Sequence, residues 1–167
     1  MAVLRPPNVA KLEAAGKIDG LVRAANYKKD PAIREDARRA LTASMDNIIR
    51  SLDTKNLAQL ARSREALVTI GEPARDRLLF ILREGHLHRR QDAAFVLGVM
   101  GDPVAVKPLC VSLHNPDARL RLIVVEALGK IGDPEAEETL KRALADPEPR
   151  VAKAARKSLD RIEKRAR

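Results

Sequence analysis

The sequence predicts an all-α fold in which about four to five helix pairs stack into an alpha–alpha superhelix, without strands. Three observations carry this. A segment repeats at a period of 31 residues: Leu97-Gly98 recurs as Leu128-Gly129, Leu159 follows Leu128 by the same interval, and Gly101-Asp102-Pro103 recurs as Gly132-Asp133-Pro134. A fixed period of this length marks stacked supersecondary units that bury their apolar faces on one another. Apolar residues follow helical spacing, as in Leu78-Ile81-Leu82 and Leu109-Cys110-Leu113, and no stretch sustains an alternation of period two. Aromatics make up only 2% of the chain and Trp is absent, so the core is built from Leu, Ile, Val and Ala.

Helix ends are read from punctuation. Asp30-Pro31, Glu72-Pro73, Asp102-Pro103, Asn115-Pro116, Asp133-Pro134 and Asp146-Pro147 each place a carboxylate or amide before Pro. A side-chain oxygen at the N-cap accepts from unpaired N–H groups, and Pro suits the first helical position because it has no N–H to satisfy. Gly71, Gly101 and Gly132 precede three of these pairs, where a left-handed residue ends the previous helix. The predicted helices span 8–15, 17–28, 31–43, 45–53, 55–70, 73–84, 87–100, 103–114, 117–131, 134–145 and 148–165. Connections are short, as helical hairpins require.

The formal net charge is +9, but it is unevenly distributed. Residues 150–167 hold eight basic and two acidic side chains, leaving +3 for the other 149 residues. A single Cys110 excludes an intrachain disulfide. The opening Met1-Ala-Val-Leu-Arg-Pro-Pro has no apolar run of signal-peptide length. Apolar stretches such as Leu122-Ile-Val-Val125 are far too short to span a bilayer. A cytoplasmic protein without a membrane partner is expected.

The run from Asn115 through Gly132-Asp133-Pro134 to Leu144 resembles a short prokaryotic HEAT repeat, of the type also found in phycobilisome lyases. The resemblance is strongest over 86–162, fair over 55–85 and weaker over 30–53. It implies a single HEAT-like domain over 1–167. Within it, 8–28 is a shortened first repeat, 30–53 a compressed one, 54–147 regular 31-residue repeats and 148–167 a basic capping helix. Leu41 and Leu67 are 26 residues apart, which compresses one repeat and interrupts regular curvature around 44–62. In such repeats an Arg early in the first (A) helix and an Asp in the turn form a hydrogen-bonded ladder. Arg34, Arg90 and Arg121 match the Arg position, and Asp102 and Asp133 the Asp. The alternative makes these arginines anion ligands.

No enzyme class emerges. His86 and His88 lie two apart at a helix start, yet no Cys or carboxylate cluster completes a metal site and H-E-x-x-H is absent. The HEAT-like deoxyhypusine hydroxylase holds iron with His-Glu pairs, whereas His86, His88 and His114 are followed here by Leu87, Arg89 and Asn115. No metal or cofactor is expected. Cys110 reads as a small boundary residue.

The more useful constellation lies on the second (B) helices, which line the concave side of HEAT-like stacks. With Leu78 and Leu82 as the buried centre, Asp76, Phe80 and Arg83 project away from it. One period on lie Lys107, Val111 and His114; two periods on lie Glu138, Arg142 and Ala145. The leading expectation is a non-enzymatic scaffold that holds a protein or peptide partner in this groove. Phe80 and Val111 supply apolar contact while Asp76, Arg83, Lys107, Glu138 and Arg142 set charge complementarity. Phe80 has a bland alternative as core.

The closing helix sets Arg150, Lys153, Arg156, Lys157, Arg161 and Lys164 between apolar positions. It reads either as the polar cap that a solenoid end needs or as a phosphate-binding strip for nucleic acid. With only Tyr27, Phe80 and Phe95 as aromatics, stacking on bases is poorly supported. A bilin-lyase-like role in chromophore attachment follows from the repeat type alone.

Overall fold

The computed structural model describes residues 6–166, all of them in helices, turns and loops. The first five residues, read above for a leader, and Arg167 lie outside this range. Among the described residues there are eleven α-helices and no strand. They are α1 (Val9–Ala14), α2 (Ile18–Ala25), α3 (Pro31–Ala43), α4 (Met45–Arg50), α5 (Leu57–Ile70) and α6 (Glu72–Glu84). The remainder are α7 (Leu87–Met100), α8 (Val106–Ser112), α9 (Ala118–Ile131), α10 (Glu137–Ala143) and α11 (Pro149–Ala166). This is the all-α arrangement of helix pairs expected from the period. None of the described helices is long and apolar enough to cross a membrane. The chain forms two compact units, residues 1–74 and 75–167, with the boundary in the first turn of α6.

In the first unit α2 packs on α1, α3 and α5, and α3 and α4 also meet α5. Leu21, Leu41, Ile48, Leu52 and Leu67 are buried there. α4 is short and tightens into a 3-10 turn at Ser51–Asp53. Buried Ser63 on α5 meets Ser51 across this turn at 2.7 Å between hydroxyl oxygens. Asp30 caps α3, its Oδ1 accepting from the Ala32 and Ile33 amides at 2.8 and 3.4 Å. Asp30→Ala is expected to cost about 1 kcal/mol in urea unfolding of the full chain.

In the second unit α7, α9 and α11 lie side by side, with α8 against α9 and α10 against α11. Leu97, Leu109, Leu128, Leu140 and Ile162 are buried. Two glycines let the A helices approach closely. A Cβ on Gly98 would stand 2.6 Å from the Ala127 Cα, and one on Gly129 2.2 Å from the Ser158 hydroxyl oxygen. The repeated Leu-Gly dipeptide therefore combines a core side chain with a gap for the next helix.

Several expected helix starts are corrected. Asp102 and Asp133 do cap, but each opens a 3-10 turn (Pro103–Ala105 and Pro134–Ala136) before α8 and α10 begin. The Ala105 and Ala136 amides donate to the Asp102 and Asp133 carbonyls at 3.0 and 3.1 Å, the three-residue bond of a 3-10 turn. Glu72 lies inside α6. Asn115 and Asp146 hold turns two residues on, accepting from the Asp117 and Glu148 amides, and α9 is capped instead by Asp117. Gly101 and Gly132 are left-handed caps (φ 70° and 75°), whereas Gly71 pairs φ 74° with an extended ψ of −132°. The interval from Gly71 to Gly101 is also one residue shorter than that from Gly101 to Gly132.

Candidate functional site

The arginine column is structural, but not as the expected ladder. Each arginine donates to carbonyls at the end of the preceding B helix or just beyond it. Arg34 donates to Tyr27 and Lys28 at 3.3 and 3.4 Å, Arg90 to Leu82 at 2.8 Å, and Arg121 to Asn115 and Pro116 at 3.0 and 2.8 Å. The guanidinium fork meets carbonyls at the negative end of a helix, where a cation is favoured. The turn aspartates pair elsewhere or only cap: Asp102 accepts from Arg75 at 2.9 Å, while Asp133 accepts the Glu135 amide. Arg121 finds its carboxylate in Asp146, through two bonds of 2.8 and 2.9 Å. That hydrogen-bonded pair holds the Asp146 carboxyl below its ordinary range and the Arg121 guanidinium above its own.

The predicted B-helix positions are exposed without exception: Asp76, Phe80 and Arg83 on α6, Lys107 and Val111 on α8, His114 just beyond it, and Glu138 and Arg142 on α10. Phe80 is 55% exposed and is therefore not core, and Val111 is 72% exposed. Val111, His114 and Arg142 come together, with Ala145, as walls of a cleft of about 330 Å³ between the α8 and α10 segments. Asp76, Phe80 and Arg83 are not among the residues lining that cleft.

The charges on this face are matched within the protein. Arg83 pairs with Glu84 at 2.9 Å, Lys107 with Glu135 at 3.3 Å, Arg142 with Glu138 at 3.4 Å and Asp76 with Arg75 at 3.6 Å. The face is close to electrically neutral at short range, and its exposed apolar side chains are left as its main means of attraction.

Sequence reasoning missed part of the cleft. Cys110, Leu113, Thr139, Ala143 and Asp146 complete its walls. Burial pushes the Cys110 thiol above its ordinary range, with Thr139 pulling the other way, so the thiolate is disfavoured at neutral pH. Val104, 56% exposed in the turn before α8, is another apolar side chain that was not foreseen. Its equivalent one period on, the exposed Glu135, was a usable signal. Among the described residues no three His, Cys, Asp or Glu side chains gather as metal ligands do.

The closing helix presents its basic residues as the sequence placed them. Arg150, Lys153, Arg156, Lys157, Arg161 and Lys164 are exposed on α11, and Val151, Leu159 and Ile162 are buried beneath. Arg165 turns back instead, donating to the Lys130 and Ile131 carbonyls at 3.0 and 2.7 Å and so capping α9.

A sequence profile for HEAT repeats matches residues 75–160. No curated protein matches the sequence. Among solved structures, human deoxyhypusine hydroxylase superposes with a TM-score of 0.59 at 20% identity, covering 93% of this chain and 77% of that one. The complex of CpcE and CpcF of phycocyanin lyase from Nostoc gives 0.58 at 20% identity, over 98% of this chain and 69% of that chain. A designed armadillo repeat protein in complex with the peptide (KR)4 gives 0.50 at 14% identity, over 92% and 85%. At such identities the likeness is one of fold.

Proposed function

The chain belongs to the HEAT-repeat family, and from that premise we propose that it is a non-catalytic scaffold holding a protein or peptide partner along its B-helix face. The observation that carries the reading is the cleft between the α8 and α10 segments, where exposed Val111 stands beside His114 and Arg142. An apolar side chain beside a small concavity, with polar groups around it, is how binding surfaces position an anchoring residue. Exposed Phe80 on α6 adds a second apolar contact. The peptide recorded with the designed armadillo protein supports a peptide as the class of partner. Chromophore attachment has only the likeness to phycocyanin lyase in its favour, and a shared fold does not carry a reaction with it.

Because the charges of this face pair among themselves, partner affinity should depend weakly on salt. Peptides selected from a random library against the full chain are expected to lose at least about tenfold in affinity on Val111→Glu, a loss of about 1.4 kcal/mol. Phe80→Ala should weaken a subset of them, and neither change should move the unfolding midpoint. Selected peptides indifferent to both substitutions would remove the B-helix face from this role.

A further inference from the structure

The outer face of α11 carries a strip of cations that no described carboxylate matches. Arg150, Lys153, Lys157, Arg161 and Lys164 follow one another at intervals of three and four residues, which places all five on one side of the helix. They extend over about 21 Å at the α-helical rise. Arg156 lies on the adjoining flank together with Asp160 and Glu163. None of the six cations makes an ion pair or side-chain hydrogen bond with a described residue. This contrasts with the B-helix face, where Arg83, Lys107 and Arg142 each hold a carboxylate. A polar cap alone needs only water on its outer side. Five like charges in a row repel one another, and that repulsion is relieved when a polyanion is bound.

We infer that this strip binds the phosphate backbone of double-stranded nucleic acid without reading its sequence. A protein partner fits less well, because protein interfaces have an apolar centre and are poor in Lys there. The larger apolar side chains of α11, Val151, Leu159 and Ile162, are all buried. The same burial leaves the outer face nothing to insert into a bilayer. α11 has no Phe, Tyr or Trp, so it offers no platform for the unpaired bases of a single strand. What remains is a polar, positively charged ridge on one continuous helix, the character of surfaces that neutralise backbone phosphates.

The test is fluorescence anisotropy of the full chain with a labelled duplex of about 20 base pairs across a salt series. If five phosphates are met, affinity should fall about 500-fold between about 50 and 200 mM salt. Lys153→Gln/Lys157→Gln/Arg161→Gln should weaken binding and reduce the log–log salt slope by about 2.7, while unfolding stays unchanged because these side chains are exposed and hold no hydrogen bond or ion pair with a described residue. Phe80→Ala should bind the duplex as the wild type does, which separates this inference from the B-helix reading. Binding that is flat with salt, or equal in the triple variant, would overturn the inference. So would poly-glutamate or anionic vesicles that compete as well as the duplex at matched charge.

Discussion

Gly129→Val is expected to destabilise the chain by about 4 kcal/mol or more in urea unfolding, among the largest effects a single substitution produces. Gly129 sits in the last turn of α9, at a close approach to α11. A Cβ there would stand 2.2 Å from the Ser158 Oγ, 2.5 Å from its Cβ and 2.9 Å from its Cα. A hydroxyl can rotate away, but a Cα cannot, so the two helices must separate and open the packing of buried Leu128, Ala155 and Leu159. The Ser158 hydroxyl also donates to the Val125 carbonyl at 3.0 Å, and that buried bond breaks when α11 lifts. Gly129→Ala should show the same effect in smaller form. Combining it with Ser158→Gly, which removes the two nearest atoms but leaves the Cα, should give a favourable coupling of at least about 1 kcal/mol. Additive effects of the two changes would show that the contact is not the cause.

Asp146→Ala should cost about 3 kcal/mol, and Asp146→Asn should flatten the acid limb of stability. The Arg121 and Asp146 side chains are only 12% and 9% exposed, so removing the carboxylate leaves a cation largely shielded from water. Arg121 keeps its carbonyls at Asn115 and Pro116, which limits the loss. The sign of the pH effect follows from the depressed Asp146 carboxyl. On lowering the pH the unfolded chain takes up its proton first, at an ordinary carboxylate pKa of about 3.9, and the folded chain only below that. The pair's contribution is therefore complete above the ordinary range and is lost as pH falls toward the folded value. Asp102, held down by Arg75, acts in the same sense. Unfolding followed from about pH 6 to pH 2 should be steeper in the wild type than in Asp146→Asn; equal slopes would mean that the pair is not linked to folding.

Much of the architecture was legible because the repeat states it more than once. Leu97 and Leu128 share a column with Leu159, and all three are buried because each occupies the same place on the successive helices α7, α9 and α11. The same columns predicted that Phe80, Val111 and Arg142 stay outside, since the buried Leu78, Leu82, Leu109 and Leu140 lie two residues from them, on the opposite side of each helix. Pairing was less legible. Arg121 and Asp146 lie 25 residues apart, off the period, whereas the repeated column singles out Asp133, which only caps its own turn. The division of 103–114 and 134–145 into a 3-10 turn and a short helix was equally hidden, because Asp-Pro starts either geometry.

By itself the sequence determined the helical class, the period, the core columns and which side chains meet water. These follow from apolar spacing and cap chemistry, which act within a few residues of the chain. Only the tertiary structure decided which charges are matched. It gave Asp146 to Arg121, Glu135 to Lys107 and Arg165 to the end of α9, and it left Lys153, Lys157 and Arg161 without partners among the described residues. Whether two charges meet depends on how adjacent helices are spaced and rotated. That spacing is set by close contacts such as Gly98 on Ala127 and Gly129 on Ser158, between residues far apart in the chain.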